Sequence, residues 1–348
     1  MSIRIMTAAA IVAVAGATEA SAAFQNGDII FVDTPNDTVN IYRAASGTTE
    51  TLYQFNDPNN TIRLAGITRV NGRFYVNSGF ASPSTPSEAA IFELRKLFGN
   101  TMESTLASSN PLLNPIGIAY HRGSDRLLSV NNPGPGSQPD EGIIGTRISD
   151  GDVKISFAED TTPPLPRYQA GFRITRDLGN ADQFFAVTAN GGVLNGPGDE
   201  GKGSVLHRIT VDANGDATQA VIYDFSATPF GPVTFVRGVA AVGNDVYVTD
   251  SFTGGIYRIA LDANGDFDSI SLVIDNMGAD PGELQYNQYT NKLVFGMNNN
   301  TINQVSLDGT GFETLVMGVA PRGMYIIPTP GGVALLGLAG LAITRRRR

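Results

Sequence analysis

Apolar residues in this chain fall in short runs divided by turn residues, and the runs recur as a set of four. The clearest set lies near the middle of the C-terminal half. Val236–Val242 predicts a first strand and Asp245-Val-Tyr-Val-Thr-Asp250 a second. Gly255-Ile-Tyr-Arg-Ile-Ala-Leu261 predicts a third, Asp262-Ala-Asn-Gly-Asp266 a turn, and Ser269–Ile274 a fourth. Alternation with β-branched and aromatic residues, broken by Asn-Gly, is the pattern of antiparallel strands joined by hairpins. No segment carries a sustained 3.6-residue period. Glu88–Leu97 has helix-forming composition, but it falls where the third strand of its set belongs.

Two series of landmarks carry the repeat along the chain. The second strand ends in Asp or Asn at Asp33, Asn77, Asn131, Asn190, Asp250 and Asn298. A glycine accompanies the first strand at Gly66, Gly117, Gly171, Gly238, Gly282 and Gly323. The interval of roughly 50 residues suits a four-stranded propeller blade. The two series are offset. The first set opens directly on a second strand, Gly27–Asp33, whereas Pro321–Ile327 is a first strand with nothing after it. Pairing these orphans completes a sixth sheet from both chain ends and closes a ring without exposed edges. The expectation is an all-β, six-bladed β-propeller in one domain, residues 23–327. Asp245–Ile259 resembles the repeats of NHL- and YWTD-type six-bladed propellers, which implies a fold and little chemistry.

The two ends read differently. In residues 1–22, Arg4 precedes the uninterrupted small and apolar run Thr7–Ala17, and Ala20-Ser21-Ala22 is an A-x-A site. This is the layout of a secretory signal cleaved between Ala22 and Ala23. In residues 328–348, Pro328-Thr329-Pro330 is followed by the uncharged Gly331–Thr344 and then by Arg345, Arg346, Arg347 and Arg348. Fourteen helical residues reach only about 21 Å, short of a bilayer core. The order of motif, apolar segment and basic end resembles the PEP-CTERM sorting signal, with Thr329 where that family usually has Glu. The resemblance implies transient membrane association through the tail and processing by an exosortase-like protease after signal peptidase. It also implies a place at the surface or in the exopolysaccharide matrix of a Gram-negative-type bacterium, with a polysaccharide or surface protein as partner.

Composition narrows the chemistry. The chain has no cysteine and two histidines, so disulfides, thiolate metal sites and cysteine nucleophiles are excluded. Its net charge is −9, and removing the two ends leaves the body more acidic still. Such a body repels nucleic acid. The six Asp/Asn at second-strand ends are candidate ligand-binding residues on one face, with Ca²⁺ the cation that an oxygen set of this kind suits. Capping of the following turn is the competing role. Asp212–Asp216 and Asp262–Asp266 resemble the start of a calcium loop but have Tyr223 and Val273 where a bidentate Glu is required, and read as hairpins.

Arg237 and Arg322 share the position just before the first-strand glycine, with Arg63 and Arg167 slightly upstream of theirs, and are candidates for attracting an anion. In outline the chain also looks like the gluconolactonase-type metal hydrolases, whose ligands stand at that same position. Here it holds Ala65, Ile116, Ala170, Arg237, Pro281 and Arg322, none of them a metal ligand. His121 and His207 have no nucleophile elbow near them. The reading that results is a binding or structural component of the cell envelope, with no catalytic residue assigned. The alternative is a secreted Ca²⁺-dependent hydrolase or lyase using the long loops Asn131–Gly142 and Asn190–Gly203.

Overall fold

The computed structural model describes residues 24–328 except 58–61, 81–88, 96–100, 109–111, 113, 132–141, 159–170, 177–178, 189–203, 232 and 234. The signal-like and sorting-like ends, Arg167, Ala170, Asn190 and most of the two long loops lie outside the described residues.

Among the described residues, twenty-four strands form six four-stranded antiparallel sheets. Blade 1 runs Pro321–Ile326, Ile29–Asp33, Thr38–Arg43, Thr48–Gln54 from inside to outside, and blade 2 runs Ile62–Val70, Arg73–Phe80, Ala90–Arg95, Met102–Ala107. Blade 3 is Pro115–His121, Arg126–Asn131, Gly142–Arg147, Val153–Ala158; blade 4 is Gly171–Arg176, Gln183–Thr188, Val205–Val211, Ala217–Asp224. Blade 5 is Val236–Val242, Asp245–Asp250, Gly255–Leu261, Phe267–Ile274, and blade 6 is Pro281–Asn287, Lys292–Met297, Thr301–Ser306, Glu313–Met317. The inner strands touch in sequence around the ring, and blade 6 meets blade 1. The chain is a six-bladed β-propeller.

Its stability resides between the blades. Second strands such as Ile-Ile-Phe-Val-Asp (29–33) and Arg-Leu-Leu-Ser-Val-Asn (126–131) are buried along their whole length because both faces are covered. Outermost strands such as Thr48–Gln54 are largely exposed and polar. Each pair of adjacent blades encloses its own apolar cluster. The closing one packs Ile29, Phe31 and Met324 of blade 1 on Val294, Ile302 and Val316 of blade 6. Burial of each such side chain is worth about 1.5–3 kcal/mol relative to exposure.

Blade 1 is assembled from both chain ends. Ile29 pairs with Ile326, Ile30 with Tyr325 and Phe31 with Met324, so the orphan strands find each other as their registers require. The segment 90–95 is a strand despite its helical composition, because Ile91, Phe92 and Leu94 are buried by blades on both sides. Tertiary packing overrides the local preference.

One irregularity recurs in all six blades. The inner strand carries one residue more than its partner near its start, a β-bulge between Leu64 and Gly66, Ile116 and Ile118, and Gly171 and Arg173. The same slip occurs between Val236 and Gly238, Pro281 and Leu284, and Pro321 and Gly323. A bulge bends the strand and re-aims its side chains. Here it lies at one end of the channel in every blade.

Candidate functional site at the channel mouth

The ring of bulges surrounds a cavity of about 260 Å³. Its wall includes Ala65, Ile116, Arg237, Gly282 and Arg322, residues at or beside the bulges, together with Arg63, Arg173, Glu283, Asn114 and Thr34. Among the described residues, four guanidinium groups from blades 1, 2, 4 and 5 and the Glu283 carboxylate therefore line one cavity.

The electrostatics follow from enclosure and like charge. Burial, with Arg322 and Arg173 nearby, lowers the Arg237 pKa to about 10, an effect that Asp280 only partly opposes. Arg322 is open to water at the mouth yet surrounded by protein on most sides. That enclosure, with Arg173 and Arg63 close by, lowers its pKa as well. Glu283 is buried and forms an ion pair with Arg173. Burial raises the Glu283 pKa; the Arg173 charge and a hydrogen bond donated by Gln285 Nε2 at 3.0 Å pull it back. Arg173 also donates to the backbone carbonyl of Arg322, tying blade 4 to blade 1 across the channel. The Arg237 guanidinium carbon lies 4.6 Å from the centroid of the Phe235 ring, a cation–π arrangement that fixes its direction. Among the described residues, the result is a concave surface rich in guanidinium donors on an acidic protein.

Arg237 and Arg322 are thus brought together as their shared position implies, and Arg63 joins them. Arg173 and Glu283 do not emerge from the glycine landmarks. In blade 4 the register places the bulge after Gly171 rather than before it, so Arg173, not residue 170, takes the channel position. In blade 6 the bulge spans Gly282 and Glu283, which displaces Pro281 from the equivalent place. Only the strand pairing reveals these shifts.

The described second-strand residues Asp33, Asn77, Asn131, Asp250 and Asn298 are not among the cavity's lining residues. Asp33 accepts hydrogen bonds from the backbone N–H of Ala320 at 3.2 Å and from Asn36 Nδ2 at 2.7 Å. Asn131 accepts from Asn114 N–H at 3.1 Å, and Asn298 from Asp280 N–H at 3.1 Å. Asp250 accepts from the N–H groups of Phe235, Phe252 and Thr253 and from the Thr253 hydroxyl. In four blades the same side chain therefore holds the loop that enters the inner strand, and in blade 1 that loop is the closing segment of the ring. Asn77 donates from Nδ2 to the Gly117 carbonyl of the next blade at 2.8 Å. Among the described residues, no group of three or more His, Asp or Glu side chains is placed to hold a metal ion.

The two hairpins whose sequence resembles the start of a calcium loop are turns held by their first residue. Asp212 Oδ1 accepts from the N–H groups of Asn214 and Asp216 at 2.8 Å each, and Asp262 repeats the pattern with Asn264 and Asp266. They lie at the opposite end of the sheets from the cavity, as does His121. The His121 ring bridges the hairpins of blades 3 and 4. Its Nδ1 lies 2.7 Å from Ser124 Oγ and accepts the Ser124 N–H at 3.3 Å, while Nε2 lies 3.1 Å from Asp182 Oδ1.

His207 is fully buried, and burial pushes its pKa down to about 3. A histidine depressed in the folded state contributes stability above its unfolded pKa of about 6.5, and that contribution is lost as pH falls toward the folded value. The expected result is a fall in unfolding free energy of order 4 kcal/mol between pH 6.5 and 3, partly absent in His207→Gln. Urea titrations of both proteins across that range measure it; parallel curves would refute it.

No protein-family model matches the chain, and no curated protein matches it. Solved structures do. A chain of the nidogen–laminin complex is 11% identical at a TM-score of 0.60, covering 85% of this chain and 97% of that one. A protein from Bacteroides fragilis assigned as a 6-phosphogluconolactonase is 9% identical at 0.55, covering 86% and 97%. The tricorn protease is 14% identical at 0.54, covering 85% of this chain but 26% of its own. At these identities the likeness shows the propeller fold alone.

Proposed function

We propose that this chain is an exported, surface-sorted β-propeller that binds an anionic ligand at the mouth of its channel, serving as a binding component of the cell envelope or its surrounding matrix. The observation that carries the binding role is the cavity lined by Arg63, Arg173, Arg237 and Arg322. Four guanidinium groups line it although the chain is acidic overall, and guanidinium is the side chain best suited to hold an anion through paired hydrogen bonds. The signal-like Ala20-Ser21-Ala22 and the tail Pro328–Arg348 support the destination.

Export is tested by the intact mass of the protein recovered from its native cells. The expected species begins at Ala23 and lacks Arg345–Arg348, and deleting those four arginines releases or mislocalises the protein. Full-length chain at the cell surface would overturn the sorting half of the proposal without touching the binding half.

A further inference from the structure

We infer that the end of the channel opposite the arginine cavity is a second binding site, and that it takes one ring of a polyhydroxylated ligand, a sugar. This site stands apart from the anion-binding reading: none of its described residues lines the first cavity. The inner strands run from the bulges to the other end of the ring. Near their far ends, Thr175 of blade 4, Gln285 and Tyr286 of blade 6 and Ile326 of blade 1 border a cavity of about 170 Å³. Gln288 and Tyr289, in the turn that follows the inner strand of blade 6, add to its wall. Blade 5 contributes Ala240 and Ala241, whose side chains are no larger than a methyl group and leave the space open. The volume is that of about six waters at roughly 30 Å³ each, room for one sugar ring.

The sequence builds this end of blade 6 differently from other blades. In blades 2 and 5 the inner strand returns through two residues, Asn71-Gly72 and Gly243-Asn244. In blade 6 it returns through four, residues 288–291, closed by the pairing of Asn287 with Lys292. The longer turn brings a Gln and a Tyr to the cavity and fixes them there. Buried Asn287 accepts the Tyr289 N–H at 3.0 Å. Gln288 Nε2 donates to Tyr289 Oη at 2.9 Å, and Tyr286 Oη donates to Asn291 Oδ1 at 2.9 Å. Gln285 Nε2 donates to Glu283 Oε1 at 3.0 Å. Side chains already held in a network lose little further freedom when a ligand arrives.

The class of ligand follows from the groups present. Thr175, Tyr286 and Tyr289 bring hydroxyls, and Gln285 and Gln288 bring primary amides. Each of these groups both donates and accepts. A sugar hydroxyl does the same, so it meets such a partner in either sense. A carboxylate or phosphate only accepts and an ammonium only donates, and either uses half of what these groups offer. The other described parts of the wall are apolar: two phenol rings, two alanines and Ile326. A sugar ring has a face of C–H groups within its rim of hydroxyls, and an aromatic ring with a polar tip accommodates both.

The test is a ligand-observed NMR titration of the full chain with the methyl glycosides of glucose, galactose and mannose. Cyclohexanol, which keeps a six-membered ring but has one hydroxyl, is the comparison probe. At least one glycoside is expected to bind with a Kd of about 1–10 mM and about 10-fold or more tightly than cyclohexanol. Gln288 is exposed and Tyr289 half-buried, so Gln288→Ala and Tyr289→Phe leave the core intact. Each is expected to weaken the glycoside by about 3- to 10-fold. Lys154→Ala, which breaks an ion pair with Asp216 between blades 3 and 4, is expected to leave affinity unchanged. A disaccharide of the same sugar that binds more tightly than the methyl glycoside identifies a chain end as the source; equal or weaker binding identifies the free sugar. Cyclohexanol binding as tightly as every glycoside overturns the ligand class. Absence of glycoside binding, or glycoside binding that both variants leave unchanged, overturns the site. Sodium sulfate and sodium acetate, titrated separately at one ionic strength, report on the arginine cavity. Failure of both to bind would overturn the anion-binding reading and leave this site standing.

Discussion

A chain ending at Val319 is expected to lose cooperative folding and to aggregate. The strand Pro321–Ile326 forms the inner edge of blade 1, and without it Ile29–Asp33 presents an unpaired, apolar edge to solvent. Three further losses accompany the edge. Met324 and Ile327 are buried in the clusters on either side of blade 1, and removing side chains of this size costs about 2–5 kcal/mol apiece. The Ala320 N–H that satisfies Asp33 disappears. The contacts of the inner strand with blades 2 and 6 go as well, so the ring opens. Against a total stability of about 5–15 kcal/mol for a typical domain, the sum is decisive. Deleting only residues 329–348 keeps this strand and is the control. Thermal unfolding followed by circular dichroism and light scattering compares the two; equal melting temperatures would show that ring closure contributes little.

Gly323→Ala is expected to destabilise the protein by about 3 kcal/mol or more, at the upper end of overpacking costs. A Cβ at this position would lie 2.5 Å from the Gly66 Cα, 2.9 Å from its carbonyl carbon and 2.9 Å from the Ile67 nitrogen. All three are backbone atoms of the next inner strand, which cannot swing aside as a side chain can. Gly66 in turn lies against Gly117, where its own Cβ would come within 3.1 Å of the Gly117 Cα. The inner strands of blades 1, 2 and 3 therefore approach backbone to backbone, and glycine is what permits it. Gly282, in the bulge of blade 6, has only the Gly296 carbonyl within 4 Å, at 3.9 Å. Gly282→Ala is accordingly expected to change stability by less than about 1 kcal/mol. Urea midpoints at constant m-value measure the contrast. Equal effects at the two glycines would mean that the tight packing of inner strands does not limit stability.

The strand pattern, the blade repeat and the split blade are properties of the amino-acid sequence alone. Alternation and turn residues act locally, so Asp245–Asp250 and Gly255–Leu261 are legible from their own residues. The offset between the six Asp/Asn and the six glycines determines that the two ends must meet, because an unpaired strand at each end would otherwise remain exposed. The shared pre-glycine place of Arg237 and Arg322 likewise suffices to put both at the channel. Tertiary structure alone decided the rest of the site. Arg173 and Glu283 reach the mouth because each blade inserts one extra residue at its inner strand, and the position of that bulge is set by pairing with the second strand and by packing against the neighbouring blade, not by any local signal. The hydrogen-bond partners of Asp250 and its described counterparts were decided in the same way. A carboxylate at a strand end can cap, bind or coordinate with equal chemical competence, and the choice depends on which backbone N–H groups a neighbouring loop brings within reach.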